Sequence, residues 1–145
     1  MKIAIGSDHG GFDLKEGLKK YLLDNGYDVE DVGTYSKDSC HYPEFAIKCA
    51  NLVKDGLCQF GVIVCTTGEG VTMAANKIKG IRAGLAYNLE TAKLMREHNN
   101  ANVIAFGAKY TSVEEACDRL NTFLTSNFLE GRHAIRVKMI EDLEK

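Results

Sequence analysis

The chain lacks most features that mark a secreted, membrane-bound or nucleic-acid-binding protein. It has no apolar run of bilayer-spanning length, and its N-terminal apolar stretch is too short for a signal peptide. The five cysteines form no CxxC pair and the four histidines no HxxxH or HExxH spacing, so neither a disulfide framework nor a zinc motif is indicated. A formal charge of -2 gives no positive field for nucleic acid or anionic membranes. We therefore expect a cytoplasmic protein with free thiols and no metal.

The chain also lacks internal repeats, low-complexity segments and linkers, so we expect one domain over residues 1–145. Apolar, β-rich runs alternate with longer amphipathic stretches, in one of which Leu14, Leu18 and Leu22 recur every four residues. The only proline, Pro43, stands just before the second of these stretches. The predicted strands are residues 2–6, 27–33, 60–65, 82–87 and 102–107, and the predicted helices are 13–26, 44–55, 71–78, 89–99, 112–127 and 133–145.

This alternation predicts an α/β fold: a doubly wound, Rossmann-like parallel sheet with helices on both faces and a C-terminal helix. In such sheets ligands bind at the carboxyl ends of the strands. Three predicted strand ends carry unusual residues, in the segments "GSDHGG", "CTTGEG" and "GAKYT". We expect the functional site there.

The glycine-bearing loop after residue 65 is the strongest local feature. A helix entered through glycines presents unpaired N–H groups that hold an anion or a developing oxyanion. The loop is not a dinucleotide fingerprint, because GxGxxG fails at Met73 and no acidic residue follows "RAGLAY"; no Walker A sequence exists either. A nucleotide cofactor is therefore disfavoured, and we expect the anion to belong to the substrate.

Cys65 stands at the mouth of this loop. A thiol near a helix N-terminus can have its pKa pulled below the usual value of about 8.5, and its thiolate then acts as a base or nucleophile. The alternative is a small buried hydrophobic residue that ends a strand.

Other candidate residues have equally plain structural alternatives. His98 lies near a predicted helix end, where a histidine can simply interact with the helix dipole. Asp8 and His9 could belong to a capping turn. Arg132 and Arg136 share a helical face that is either solvated or a phosphate site.

Taken together, these segments resemble a known family. The segments "GSDHGG", "YP", Cys-x-Thr-Gly-x-Gly with "AANK", "REHNNANVIAFG" and "GRHAIRV" occur in the order seen in type B ribose-5-phosphate isomerases and their allose- and galactose-6-phosphate relatives. The resemblance covers nearly the whole chain. It implies aldose–ketose isomerisation of a phosphorylated sugar, a reaction of the pentose phosphate pathway, with neither metal nor nucleotide cofactor.

The resemblance also implies a role for each candidate residue. Cys65 would shuttle the proton, while Thr67 and the loop N–H groups of residues 66–70 would stabilise the enediolate. His98, assisted by Asp8, would open the sugar ring. The remaining substrate contacts would come from His9, Tyr42, Thr66, Gly68, Glu69, Gly70, Asn99, Lys109, Arg132 and Arg136. Family members are dimers or tetramers with shared sites, so we expect a homodimer or homotetramer in which His98 serves a neighbouring chain's Cys65.

Three positions depart from the family pattern. Thr66 replaces a common glycine, Glu69 adds a carboxylate that points either outward or toward the thiolate, and Lys109 replaces an arginine thought to reach the phosphate. These changes leave the reaction class intact but leave open whether the sugar has five or six carbons.

Other hypotheses stay open at this point. One is an allose- or galactose-6-phosphate isomerase, including an inactive subunit of a two-chain galactose-6-phosphate isomerase. Another is a non-catalytic nucleotide-binding module that uses "TTGEG" for phosphates, in which Cys65 would be dispensable.

Overall fold

The centre of the structure is a five-stranded parallel sheet. It is seen in a computed structural model that describes residues 1–144. The strands are β1 (Lys2–Ser7), β2 (Asp28–Asp31), β3 (Phe60–Cys65), β4 (Ala83–Leu85) and β5 (Val103–Gly107). They are ordered β2-β1-β3-β5-β4, and every neighbouring pair is parallel. The predicted parallel α/β sheet is confirmed.

Six α-helices connect and flank the strands. They are α1 (Phe12–Asp24), α2 (Tyr42–Lys54), α3 (Glu69–Ala75), α4 (Leu89–Glu97), α5 (Val113–Leu124) and α6 (Arg132–Asp142). A 3-10 turn at His9–Gly11 precedes α1. Within residues 1–144, no helix has the combined length and apolar character that crossing a bilayer requires.

Helices cover both faces of the sheet, as predicted. α1, α4 and α5 pack on one face, where Leu14, Leu18 and Leu22 are buried. α2 and α3 pack on the other. Because successive strand residues point to opposite faces, Val64 belongs to the first core and Cys65 to the second. The register of β3 therefore directs Cys65 toward α2 and α3.

The strand order creates a crevice between β1 and β3. From β1 the chain winds outward to β2, and it then returns to β3 on the other side of β1. The connections leaving the carboxyl ends of β1 and β3 thus diverge, which opens a cleft at that edge of the sheet.

Several predicted boundaries are wrong by a few residues. α2 begins at Tyr42, so Pro43 lies inside its first turn, where no N–H donor is needed. α3 begins at Glu69 because the left-handed Gly68 turns the chain directly into the helix. It ends at Ala75, since the Asn76 amide hydrogen-bonds the backbone of Ala83 through both of its polar atoms.

The other differences lie at element ends. β2 covers only Asp28–Asp31, β4 only Ala83–Leu85, and α4 and α5 end at Glu97 and Leu124. α6 starts one residue earlier than predicted and ends at Asp142, and residue 145 of the predicted helix lies outside the described residues.

A buried ion pair anchors the segment that leads from β2 to α2. The fully buried Lys15 ammonium lies 2.7 Å from an Asp31 carboxylate oxygen, which Lys19 also contacts at 3.1 Å. The other oxygen accepts the Gly33 N–H at 2.9 Å. Burial acts to raise the pKa of Asp31, but the hydrogen bonds from Lys15, Gly33 and Lys19 outweigh it and lower the pKa below its usual value.

We predict that Asp31→Asn lowers the free energy of unfolding by about 3–5 kcal/mol at pH 7, because it leaves Lys15 buried without its main partner. Since the folded-state pKa of Asp31 lies below the unfolded value of about 3.9, the stabilisation is complete above that value and is lost as the pH falls through the folded pKa. Urea unfolding at pH 7 and pH 3 measures the difference.

The control is Asp24→Asn, which breaks the exposed Lys20–Asp24 pair and should cost less than about 1 kcal/mol. An Asp31→Asn cost equal to that of the control at pH 7, or one undiminished at pH 3, would contradict this assignment.

Candidate active site

Cys65 ends β3 with its sulfur facing the loop that follows. Its side chain is only 5% exposed, and its carbonyl accepts the Ala108 N–H at 2.9 Å. The Gly68 N–H donates to the sulfur at 3.2 Å. The pairing with β5 and this hydrogen bond together fix the thiol at the carboxyl edge of the sheet.

The loop after Cys65 depends on Gly68. Its φ of +80° lies in the left-handed region, and an added Cβ would overlap Leu85 and lie 2.9 Å from the carbonyl carbon of Phe106. The Glu69 N–H donates to the Thr67 hydroxyl at 3.2 Å. Two of the loop N–H groups predicted to face an enediolate, those of Gly68 and Glu69, are therefore engaged within the loop in the free protein.

The two unusual side chains of the loop lie on different sides of it. The Thr66 hydroxyl packs so closely on Gly10 that a Cβ there would overlap it. Glu69 is exposed and lines a cavity of about 380 Å³ beyond β4 and β5, together with Tyr87 and Arg119.

Asp8 and His9 follow β1 and lie next to the end of β3. The Asp8 N–H donates to the Val64 carbonyl at 3.3 Å. Its carboxylate accepts the Gly11 N–H at 3.1 Å and so caps the 3-10 turn. Asp8 is only 7% exposed. His9 is exposed, and its Nδ1 accepts the Cys40 N–H at 3.2 Å. The capping role of Asp8 considered from the sequence is therefore present.

Two further candidates reach the same edge from other elements. The Tyr42 ring packs on Gly70, where an added Cβ would lie 2.5 Å from the ring. The Lys109 N–H donates to the Thr66 carbonyl at 3.0 Å, and both residues line a cavity of about 390 Å³. We call the candidates gathered here the carboxyl-edge group: Asp8, His9, Tyr42, Cys65, Thr66, Thr67, Gly68, Glu69, Gly70 and Lys109.

The remaining candidates lie around the end of α4. His98 caps this helix, with its N–H donating to the Leu94 carbonyl at 2.8 Å, and Asn99 beside it is exposed. The segment before α6 is tied here, because the Leu129 N–H donates to the Glu97 carbonyl at 3.0 Å.

The start of α6 adds a histidine that sequence reasoning missed. The His133 ring stacks on His98 with centroids 4.2 Å apart and an angle of 10° between the planes. Partial burial, with the nearby His98, Arg132 and Arg136, lowers the pKa of His133 below its usual value. Both arginines are exposed, and within residues 1–144 neither forms an ion pair with a carboxylate. We call His98, Asn99, Arg132, His133 and Arg136 the amino-edge group.

The two groups stand at opposite edges of the sheet. Cys65 pairs with Gly107 at the carboxyl end of β5, whereas the turn after His98 enters β5 at Val103. The five residues of β5 alone span about 13 Å from the first Cα atom to the last. One chain therefore does not bring His98 to Cys65 or Asp8, and it separates Arg132 and Arg136 from His9.

The described residues contain no cluster of three or more His, Cys, Asp or Glu side chains that could hold a metal ion. The chemistry available at the carboxyl edge is a buried thiol beside a carboxylate, a hydroxyl and a glycine loop. The chemistry available at the amino edge is a pair of stacked imidazoles beside two guanidinium groups.

Comparison with known proteins identifies the family. The family described as Ribose/Galactose Isomerase matches residues 3–140. The chain belongs to this family. Its fold and its membership together establish a sugar-phosphate isomerase of the ribose/galactose isomerase family.

Three relatives show how far the similarity extends. The chain is 39% identical to ribose-5-phosphate isomerase B of Escherichia coli over 99% of its own length and 97% of the relative's. It is 41% identical to galactose-6-phosphate isomerase subunit LacB of Clostridium acetobutylicum, over 88% of its length and 74% of the relative's. The structure of Clostridium thermocellum ribose-5-phosphate isomerase B superposes with a TM-score of 0.98 at 45% identity, over 99% and 97% of the two chains.

For this isomerase we predict that Gly68→Ala reduces kcat by at least about 100-fold while leaving a folded protein, since a displaced loop misplaces the reacting groups. The control is Gly56→Ala: Gly56 has a similar φ of +76° but nothing within 4 Å of an added Cβ. Circular dichroism and turnover of sugar phosphate measure both variants. Equal turnover by the two variants would contradict a specific requirement for the loop geometry.

Proposed function

We propose that this protein interconverts ribose 5-phosphate and ribulose 5-phosphate through an enediolate, as an enzyme of the pentose phosphate pathway without cofactor. The observation that carries the proposal is the buried Cys65 thiol, hydrogen-bonded to Gly68 at the head of the glycine loop. The two full-length relatives named ribose-5-phosphate isomerase B support the choice of sugar.

Cys65 is the proton-transferring base. Its thiolate removes the proton from C2 of the open-chain aldose and returns it to C1, while the O2 proton passes to O1, so that the carbonyl moves from C1 to C2. The hydroxyl of Thr67 accepts the Glu69 N–H and keeps its own proton available for an enediolate oxygen. Backbone N–H groups of the loop, including that of Gly70, complete the oxyanion site.

The phosphate and the ring need the remaining groups. A dianionic phosphate is held by His9, Lys109 and the two exposed guanidinium groups of Arg132 and Arg136, which have no carboxylate partner in residues 1–144. His98 opens the furanose ring as a general acid and base, with Asp8 assisting. Asn99 and Tyr42 contact the sugar.

A second copy of the chain supplies half of each site. The amino-edge group of one copy meets the carboxyl-edge group of another, because a single chain holds the two groups at opposite edges of the sheet. The helix that carries the arginines also carries exposed apolar side chains suited to an interface: Ile135, Met139, Ile140 and Leu143 near its end. A homodimer is the smallest assembly in which the amino-edge group of one copy meets the carboxyl-edge group of another. A homotetramer would contain the same pair of copies.

A six-carbon substrate is the second candidate. The 41% identity to a galactose-6-phosphate isomerase subunit supports it, although that relative is matched over only 74% of its length. Thr66 and Lys109, which depart from the family pattern, line one cavity and are the positions where a longer sugar would be accommodated.

We also place the protein in the cytoplasm. Its five cysteines are all unpaired, which suits a reducing compartment.

The proposal is tested by incubating the purified protein in D₂O, with chelator present, with ribose 5-phosphate, allose 6-phosphate or galactose 6-phosphate, and following the products by NMR. We expect conversion of ribose 5-phosphate with deuterium incorporated at C1 of the ketose. Conversion of a hexose phosphate alone would replace the substrate assignment, and no conversion of any sugar would contradict the function.

In the same experiment, variants of Cys65 and His98 test the role proposed for each residue. Cys65→Ala should lower both conversion and deuterium uptake by about 10²–10⁴-fold, whereas the matched Cys117→Ala should lower neither. His98→Asn should slow consumption of ribose 5-phosphate but retain deuterium uptake into ribulose 5-phosphate. That ketose cannot form a furanose, because its C5 oxygen carries the phosphate. Equal losses of both activities in His98→Asn would argue against ring opening.

A further inference from the structure

Arg96, on the last turn of α4, is buried in an unusual way. Its side chain is 9% exposed, and its guanidinium carbon lies 4.8 Å and 5.8 Å from the ring centroids of Phe60 and Phe123. Within residues 1–144 it forms no ion pair with a carboxylate, and its Nε has no hydrogen-bond partner. Burial, and to a smaller extent the charge of Arg82, lowers the pKa of Arg96. Burying a guanidinium without a charged partner is energetically unfavourable, so its hydrogen bonds must compensate for the lost hydration.

Those contacts all lie in the turn that follows the helix. Nη1 donates to the Asn100 side-chain oxygen at 2.9 Å and to the Ala101 carbonyl at 2.7 Å. Asn100 has a φ of +48°, a left-handed conformation that a non-glycine residue adopts at a cost. Its carbonyl accepts a hydrogen bond from Arg82 Nε at 2.9 Å. Two arginines therefore fix one short turn.

The turn carries two of the candidate site residues. His98 and Asn99 stand between Arg96 and its acceptors, so the conformation that Arg96 fixes also sets the direction in which both side chains leave the backbone. In addition, His98 stacks on His133 of α6, an arrangement that requires the His98 ring to keep one orientation.

We propose that Arg96 is a positioning residue, which through Asn100 and Ala101 holds His98 and Asn99 in the orientation needed for ring opening. This inference rests on the proposed function. Arg96 touches no substrate, since it is enclosed beneath the turn by Phe60 and Phe123. It acts only through the geometry of the residues above it.

An arginine at position 96 is better suited than a lysine to fix this turn. A planar guanidinium packs between two aromatic rings while its terminal nitrogen directs N–H groups to two separate acceptors. A lysine ammonium is a point charge that is more strongly hydrated and has no planar group to stack. Arg96→Lys should therefore recover only part of the function lost in Arg96→Met.

The test compares ring-dependent and ring-independent activity in variants of the full-length protein. Arg96→Met should lower kcat for ribose 5-phosphate about 10- to 100-fold, because a shift of about 1 Å in a catalytic group costs that much. Deuterium uptake into saturating ribulose 5-phosphate should change by less than about threefold, since proton transfer by Cys65 does not need His98. Equal loss of both activities in a folded variant, or loss of neither, would overturn the proposal.

Asn100→Gly provides a second variant in case Arg96→Met does not fold. Glycine accepts the φ of +48° and removes only the side-chain acceptor, so we expect the same pattern with a smaller loss, about 3- to 10-fold. In the double variant the Asn100 change should add nothing, because the two residues act through one contact. Additive losses would overturn the inferred coupling.

The matched control is Arg119→Met. Arg119 is also an arginine with little exposure that donates to a main-chain carbonyl, that of Ala86, but it lies away from the turn. Because it lines the cavity beside Glu69, its loss should affect both activities alike. It should therefore lower the melting temperature without changing the ratio of the two activities.

The imidazole NMR resonances of His98 and His133 give a readout that does not depend on activity. They should shift in Arg96→Met and Asn100→Gly and stay unchanged in Arg119→Met. Unshifted resonances in the first two variants would overturn the positioning role even if the proposed substrate is wrong. Absence of deuterium uptake in the unmodified protein would instead contradict the proposed function.

Discussion

The two ends of a parallel sheet are different, and this polarity governs the whole site. Strands end at one edge, and the helices that return the chain end at the other. Cys65 ends a strand and His98 ends a helix, so the fold itself sets them apart by at least the length of β5. A site that needs both residues is then completed only by a second chain.

The carboxyl edge is rigid because each of its groups is fixed by a different neighbour. Gly68 holds the sulfur of Cys65 through its N–H, and its own left-handed backbone turns directly into α3. Tyr42 reaches the same loop from a segment whose start is anchored by the buried Lys15–Asp31 pair. The buried Lys15–Asp31 pair therefore anchors the start of the segment that brings Tyr42 to the loop.

The amino edge is built on different principles. It has no glycine loop, and its geometry depends on helix ends, on two arginines that fix the turn at Asn100, and on stacked imidazoles. The Arg132 and Arg136 side chains remain exposed and without carboxylate partners in the described residues. Two unpaired guanidinium groups are suited to bind the phosphate of a substrate that lies at the carboxyl edge of another copy of the chain.

Most strands and helices could be predicted from the sequence, because hydrophobic periodicity is a local property. The apolar run at residues 60–65 became β3 without change, and Leu14, Leu18 and Leu22 are buried together as their spacing indicated. Helix ends were predicted less well, since they depend on tertiary contacts such as that of the Asn76 side chain with the backbone of Ala83 at the start of β4.

Arg96 and His133 were missed for a related reason. A charged residue in an amphipathic helix is expected to face solvent, and only the tertiary packing of Phe60 and Phe123 shows that Arg96 does not. His133 lies between the two arginines of "GRHAIR", so the pattern held the signal, but its stacking on His98 joins elements 35 residues apart and depends on packing. The placement of candidate residues at two edges likewise follows from topology and not from any motif.

Sharing of each site between two copies is tested by mixing two inactive variants. Cys65→Ala and His98→Asn chains are co-expressed, and formation of the hybrid is verified by native mass spectrometry. In a hybrid dimer one site has lost both residues and the other is intact, so random pairing should restore about a quarter of unmodified activity. A verified hybrid with no more activity than its parents would contradict the shared site.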